Sequence, residues 1–169
     1  MSESTVRDAV RGASAYLAEH PDEARYRDSH ARARLGAGLH VDVEGPGGET
    51  ASTDMPKGVG GSAQTPSPGW LFRAATAACV ASLIGVRAAA LDISLGDVEV
   101  TVDSESDDRG ILGLDSGVAA GPLSMRVVVS IKARAVDRMT IEGLARWAVD
   151  HCPVADSVRR VVPLEVVIS

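Results

Sequence analysis

One stretch narrows the possible folds of this chain more than any other: the run from Ser67 to Ala90, in which Arg73 and Arg87 are the only charged residues. Ser67 is a good N-cap, and Pro68 suits the first helical position, where its missing N–H leaves no bond unmade. From Gly69 onward the run is apolar on every face of a helix, and such a helix belongs inside a protein or a membrane. The uncharged segment between the two arginines, Ala74 to Val86, falls short of the roughly 20 residues that a bilayer requires. The expectation is a buried central helix with Cys79, one of the two cysteines, in its middle.

At 169 residues the chain suits one domain with an N-terminal extension, and about 70% of the unfolded surface is buried at that size. Aromatic residues are only 3% of the sequence, so the core must be built from Ala, Val, Leu and Ile. Such a core gains less per residue than one rich in Phe and Trp, and dimerisation through a large apolar surface is one way to compensate. A net charge of −6 and the lack of a basic cluster argue against nucleic acid as a partner. The opening Met-Ser-Glu-Ser-Thr has neither the basic nor the apolar region of a secretory signal. A soluble, cytoplasmic protein with no membrane partner is expected. Two cysteines in that compartment do not form a permanent structural staple, and their plain reading is two thiols packed as small hydrophobes.

Along the chain, residues 5–18 carry Val6, Ala9, Val10, Ala13 and Leu17 at helical spacing, ending near His20-Pro21. With the polar connector 21–30 they form an extension, residues 1–30, ahead of a domain at 31–169. From Ala31 the period shifts towards 2. Ala31–Leu35 and Leu39–Glu44 read as strands around Gly36-Ala37-Gly38, and Glu49–Thr53 reads as a third. A Gly- and Pro-rich loop, 54–67, leads into the central helix. Beyond it, Val98–Asp103 alternates as a strand, 104–122 is an acidic loop, and a strand from Leu123 to about Ala133 buries Met125, Val127, Val129 and Ile131. Met139–His151 forms a helix with Ile141, Leu144, Ala145 and Ala148 inward, Pro153 to about Arg160 a short one, and Pro163–Ile168 a closing strand. Strands grouped apart from helices in this order make an α+β fold with mainly antiparallel sheets.

Cys152 precedes Pro153 and so stands at the N-cap of a helix, where free N–H groups and the helix dipole stabilise a thiolate. Nothing local does the same for Cys79. Two thiols in one cytosolic domain, one at a helix start, suggest a dithiol/disulfide redox pair. His151, next to Cys152, is a base or a cap on the preceding helix, and capping is the plainer role. Asp103, Glu105, Asp107, Asp108 and Asp115 lack calcium-loop spacing and read as a solvated loop, and the Cys and His residues have no zinc spacing.

Asp54-x-Pro56-x-x-x-Gly60-Gly61, then Pro66-Ser67-Pro68-x-x-Leu71, Ala77-Ala78-Cys79 and finally Cys152-Pro153-Val154 appear in this order. Together they resemble the OsmC/Ohr family (osmotically inducible protein C and organic hydroperoxide resistance proteins) over roughly residues 31–169. The resemblance implies an intertwined homodimer with a long central helix from each chain at its middle. It also implies a thiol-dependent peroxidase for organic hydroperoxides. Cys79 matches the peroxidatic cysteine and Cys152 the resolving one, with a lipoyl- or thioredoxin-type dithiol as reductant. No metal or organic cofactor is implied.

The match breaks at one place. The glutamate that comes just after the helix-opening proline in the most active branch is Gly69 here, and the place of its arginine partner falls near Leu39-His40, where there is no arginine. His40, Arg32, Arg34 and Arg73 are the alternative cations, each with a plainer role as a solvated or ion-paired residue. That departure keeps a second reading open: a non-peroxidatic dimer of the same fold that binds a small apolar ligand or acts as a slow thiol redox sensor.

Overall fold

The computed structural model describes residues 3–168. In chain order its elements are α1 (Glu3–Glu19), β1 (Arg32–Leu35), β2 (Val41–Glu44), β3 (Thr50–Thr53), α2 (Pro68–Ala90), β4 (Val98–Glu105), α3 (Asp108–Ile111), β5 (Ser124–Ile131), α4 (Arg138–Asp150) and α5 (Pro153–Arg159). This is the α+β arrangement with antiparallel sheets that the alternation predicts. Two compact units emerge, one of residues 14–72 and one that joins the residues up to Ala13 with those from Arg73 onward.

Within residues 14–72, β1, β2 and β3 form an antiparallel meander, with Leu35 opposite Val41 and Val41 opposite Thr53. Its organising group is Asp54, only 2% exposed. The carboxylate accepts the backbone N–H of Met55 at 2.8 Å, of Ser62 at 3.0 Å and of Gln64 at 3.4 Å, together with the Ser62 hydroxyl. A buried carboxylate needs such donors, and with Ser62 the main one they hold its pKa below the usual carboxylate range. The glycines of the motif are required by the same loop. Gly60 has φ +92°, and a Cβ on Gly61 would stand 1.8 Å from the Met55 carbonyl oxygen. Ser67 caps α2 as expected, its Oγ 3.2 Å from the Trp70 N–H.

In the other unit, β4 and β5 pair from Val98 opposite Ile131 to Glu105 opposite Ser124. One face of this hairpin is half-buried through Val98, Val100, Val127, Val129 and Ile131, and the other is exposed. The half-buried face packs on a core of Val80 and Ile84 from α2, Ala148 from α4, and Cys152. Each Val or Ile fully buried in such a core contributes about 1.5–3 kcal/mol. Asp137 starts α4 by accepting the Thr140 N–H at 2.9 Å. Arg7 of α1 forms an ion pair with Asp92, just beyond the end of α2, where the backbone has φ +60°.

Two expectations need correction. The apolar helix α2 is buried along one stripe only: Thr76, Val80, Ile84, Ala88 and Ala89. It is the one helix among the described residues that is long and apolar enough to cross a bilayer. One chain supplies a sheet and α4 to one side of α2, which leaves the remaining apolar residues without full cover. Likewise, Pro163–Ile168 forms no strand here. A strand exists through its neighbour, and among the described residues none pairs with this segment. Leu164 is 89% exposed and Ile168 92%.

Candidate active site

The two cysteines come together. Cys79 lies in the middle of α2, half-buried, one position before Val80 of the buried stripe. It packs against the cluster that contains the fully buried Cys152. Cys152 and the backbone N–H of Val154 lie near enough to act on the Cys79 pKa. Cys152 is the N-cap of α5, as the Cys-Pro pair predicts, and its Sγ accepts the Ala155 N–H at 3.4 Å. The start of α5 thus lies beside both sulfurs. A disulfide needs two sulfurs that can reach each other with little backbone movement, and the two cysteines pack in one cluster.

The electrostatics oppose easy ionisation of Cys79. Burial pushes its pKa up first, the hydrogen bond and charge interaction with Cys152 push it further, and only the Val154 amide acts in the other direction. No basic side chain is among these influences. The candidate cations are engaged elsewhere: Arg73 donates to the Ser104 hydroxyl at 3.4 Å, Arg32 and Arg34 pair with Glu44, and His40 contacts Asp42 at 3.2 Å. Gly69 lies in the first turn of α2 with no side chain to offer.

His151 takes the capping role. Its Nδ1 lies 2.8 Å from the Trp147 carbonyl oxygen, and its ring stacks on the Trp147 indole at 4.1 Å. On α2, Arg87 stands over the same indole, 4.9 Å from its centroid. Sequence reasoning missed this three-residue stack, because Arg87 and Trp147 belong to helices far apart in the chain and no local spacing links them. The acidic loop is spent on local partners: Asp103 on Arg126, Asp107 on Arg109, Asp115 on the Gly117 N–H. Among the described residues no three metal-ligating side chains cluster.

The sequence profile of the family described as OsmC-like protein matches residues 60–167. No protein of curated function matches the chain by sequence. Among solved structures, an organic hydroperoxide resistance protein OsmC from Legionella pneumophila is 24% identical, with a TM-score of 0.59 over 80% of this chain and 91% of that one. An OsmC-like protein from Mycoplasma pneumoniae is 14% identical, with a TM-score of 0.68 over 81% and 91%. An organic hydroperoxide resistance protein from Elizabethkingia anophelis is 21% identical, with a TM-score of 0.60 over 80% and 90%. At these identities the likeness establishes the fold.

Proposed function

The chain belongs to the OsmC-like protein family, and from that premise we propose that it is a thiol-dependent peroxidase that reduces organic hydroperoxides through a Cys79/Cys152 dithiol–disulfide cycle. The observation that carries the reading is the packing of Cys79 against the buried cluster that holds Cys152, the N-cap of α5. Relatives of the same fold named for organic hydroperoxide resistance support the substrate class.

In the first step the Cys79 thiolate attacks one peroxide oxygen. An S–O bond forms, the O–O bond breaks, and the released alkoxide takes a proton to leave as the alcohol. Cys79 is then a sulfenic acid. The Cys152 thiolate attacks the Cys79 sulfur, the S–S bond forms, and hydroxide leaves with a proton as water. A lipoyl- or thioredoxin-type dithiol returns two electrons and two protons by exchange through a mixed disulfide. The Val154 N–H favours the Cys79 sulfur in its charged form, and the Ala155 N–H holds Cys152 in place. No cofactor enters the cycle.

The working unit in this proposal is a cytoplasmic homodimer. The uncovered apolar residues of α2 and the exposed aliphatic segment 161–168 are its supports, since a second copy would remove both from water.

A slower role, as a thiol redox sensor or an apolar-ligand binder of the same fold, is favoured by the raised pKa of Cys79 and by Gly69 at the site of the family's activating glutamate. Stopped-flow oxidation of the reduced protein by cumene hydroperoxide and by hydrogen peroxide separates the two. A peroxidase consumes the organic peroxide fast, loses the reaction in Cys79→Ser and halts at sulfenic acid in Cys152→Ser. Slow oxidation, indifferent to which cysteine is removed, would sink the peroxidase reading.

A further inference from the structure

We infer that the stack of Arg87, Trp147 and His151 is a positioning device for the thiol pair, setting how closely the Cys79 helix and the Cys152 corner are held and so how readily their sulfurs join. The inference rests on the thiol-pair reading above. Cys79, Leu83 and Arg87 recur every four residues and therefore share a stripe of α2. At the far end of that stripe the guanidinium of Arg87 stands 4.9 Å from the Trp147 centroid, inside the roughly 6 Å range of a cation–π contact.

From the α4 side, the His151 ring stacks on the same indole with an interplanar angle of 17°, and its Nδ1 reaches the Trp147 carbonyl oxygen at 2.8 Å. That contact closes the last turn of α4 directly before Cys152. Trp147 also packs against the cluster of Val80, Ile84, Ala148 and Cys152. One indole thus ties together the helix that carries the first thiol, the corner that carries the second, and the core between them.

Arg87 does not act on Cys79 by charge. Two turns of helix separate them, about 12 Å of rise, and Arg87 is not among the influences on the Cys79 thiol. Its effect is geometric. Aliphatic contacts resist separation of α2 and α4 but give little direction, whereas a planar cation over an indole fixes both distance and orientation.

The test is the redox equilibrium of the full-length protein in glutathione buffers. Glutathione disulfide accepts two electrons: a protein thiolate displaces one glutathione to form a mixed disulfide, and the second protein thiol displaces the other. Two reduced glutathiones, carrying the two electrons and two protons, leave an intramolecular Cys79–Cys152 disulfide. Trapping with a thiol alkylator and mass spectrometry gives the fraction oxidised. Arg87→Ala and Trp147→Leu are expected to lower the equilibrium constant for disulfide formation about tenfold, a rise in potential of about 30 mV. Arg87→Lys, which keeps the charge but not the planar group, should recover only part of the wild-type value. Equal potentials in all variants, with only the melting temperature lowered, would overturn the inference and leave the stack a structural contact. A wild-type protein that forms no intramolecular disulfide overturns the thiol-pair reading itself, and this inference with it.

Discussion

Cys79 in the middle of α2 packs against the buried cluster that holds Cys152, the residue that opens α5, although the β4–β5 hairpin and α4 lie between them in the chain. The Ala155 amide donates to Cys152, and no cation is among the influences on Cys79. The pair is therefore close in the core and poorly placed to ionise Cys79.

That combination has a pH signature. Burial and Cys152 hold Cys79 as a neutral thiol above the ordinary thiol range, whereas an unfolded cysteine titrates near 8.5. Alkylation of Cys79 by iodoacetamide, read by mass spectrometry, should rise about tenfold per pH unit from about pH 6 to 8 without levelling off below about pH 8.5. A plateau near neutrality would mean that the assembled protein supplies a cation. Stability has the matching sign: above about pH 8.5 the unfolded chain has lost this proton and the folded chain has kept it, so this contribution falls as pH rises through the folded value.

Removing Cys152 deletes two of the influences that raise the pKa of Cys79. Cys152→Ala should make Cys79 alkylate faster at about pH 7.5, by about threefold to tenfold, even though it abolishes disulfide formation. Slower alkylation would contradict the geometry.

The Asp54 loop makes two predictions. Asp54→Asn keeps the shape but loses the charged acceptor of several N–H groups, and should lower the melting temperature by about 5 °C while exposing the Ser62 amide to hydrogen exchange. Because the folded pKa of Asp54 is lowered, its contribution is present above the unfolded value near 3.9 and is lost as pH falls through the folded one. Gly61→Ala drives a methyl into the Met55 carbonyl, whereas Gly58 faces open space. The first should cost on the order of 3 kcal/mol and Gly58→Ala well under about 1 kcal/mol, as read from denaturant midpoints.

Deleting residues 161–169 removes the aliphatic segment in which Val161, Leu164, Val166, Val167 and Ile168 are each at least 75% exposed. Sedimentation velocity is expected to give a dimer for the full chain and a monomer for the truncated one. An unchanged dimer would show that the uncovered residues of α2 suffice for assembly.

In the core, Ile84 and Leu144 are 0% and 2% exposed. Either Ile84→Ala or Leu144→Ala should cost about 2–5 kcal/mol, while Val128→Ala on the exposed face of β5 should fall within about 0.5 kcal/mol.

Local periodicity is enough to read most of this protein. The Val98 and Leu123 strands, the helix from Pro68, the helix near Met139 and the Cys152-Pro153 helix start are all dictated by spacing, caps and proline, because these are properties of neighbours in the chain. The motif from Asp54 to Gly61 likewise carries its own reason, a carboxylate gathering the amides of its own loop. Pro163–Ile168 reads as a closing strand and is not one, because alternation marks a segment fit to be a strand while a partner edge decides whether it becomes one. Tertiary structure alone decides that Cys79 packs against the cluster of Cys152, that α2 is covered on one stripe, and that Arg87 lies over Trp147. These are contacts between residues far apart in sequence, and their geometry depends on how whole elements pack rather than on any pattern within one of them.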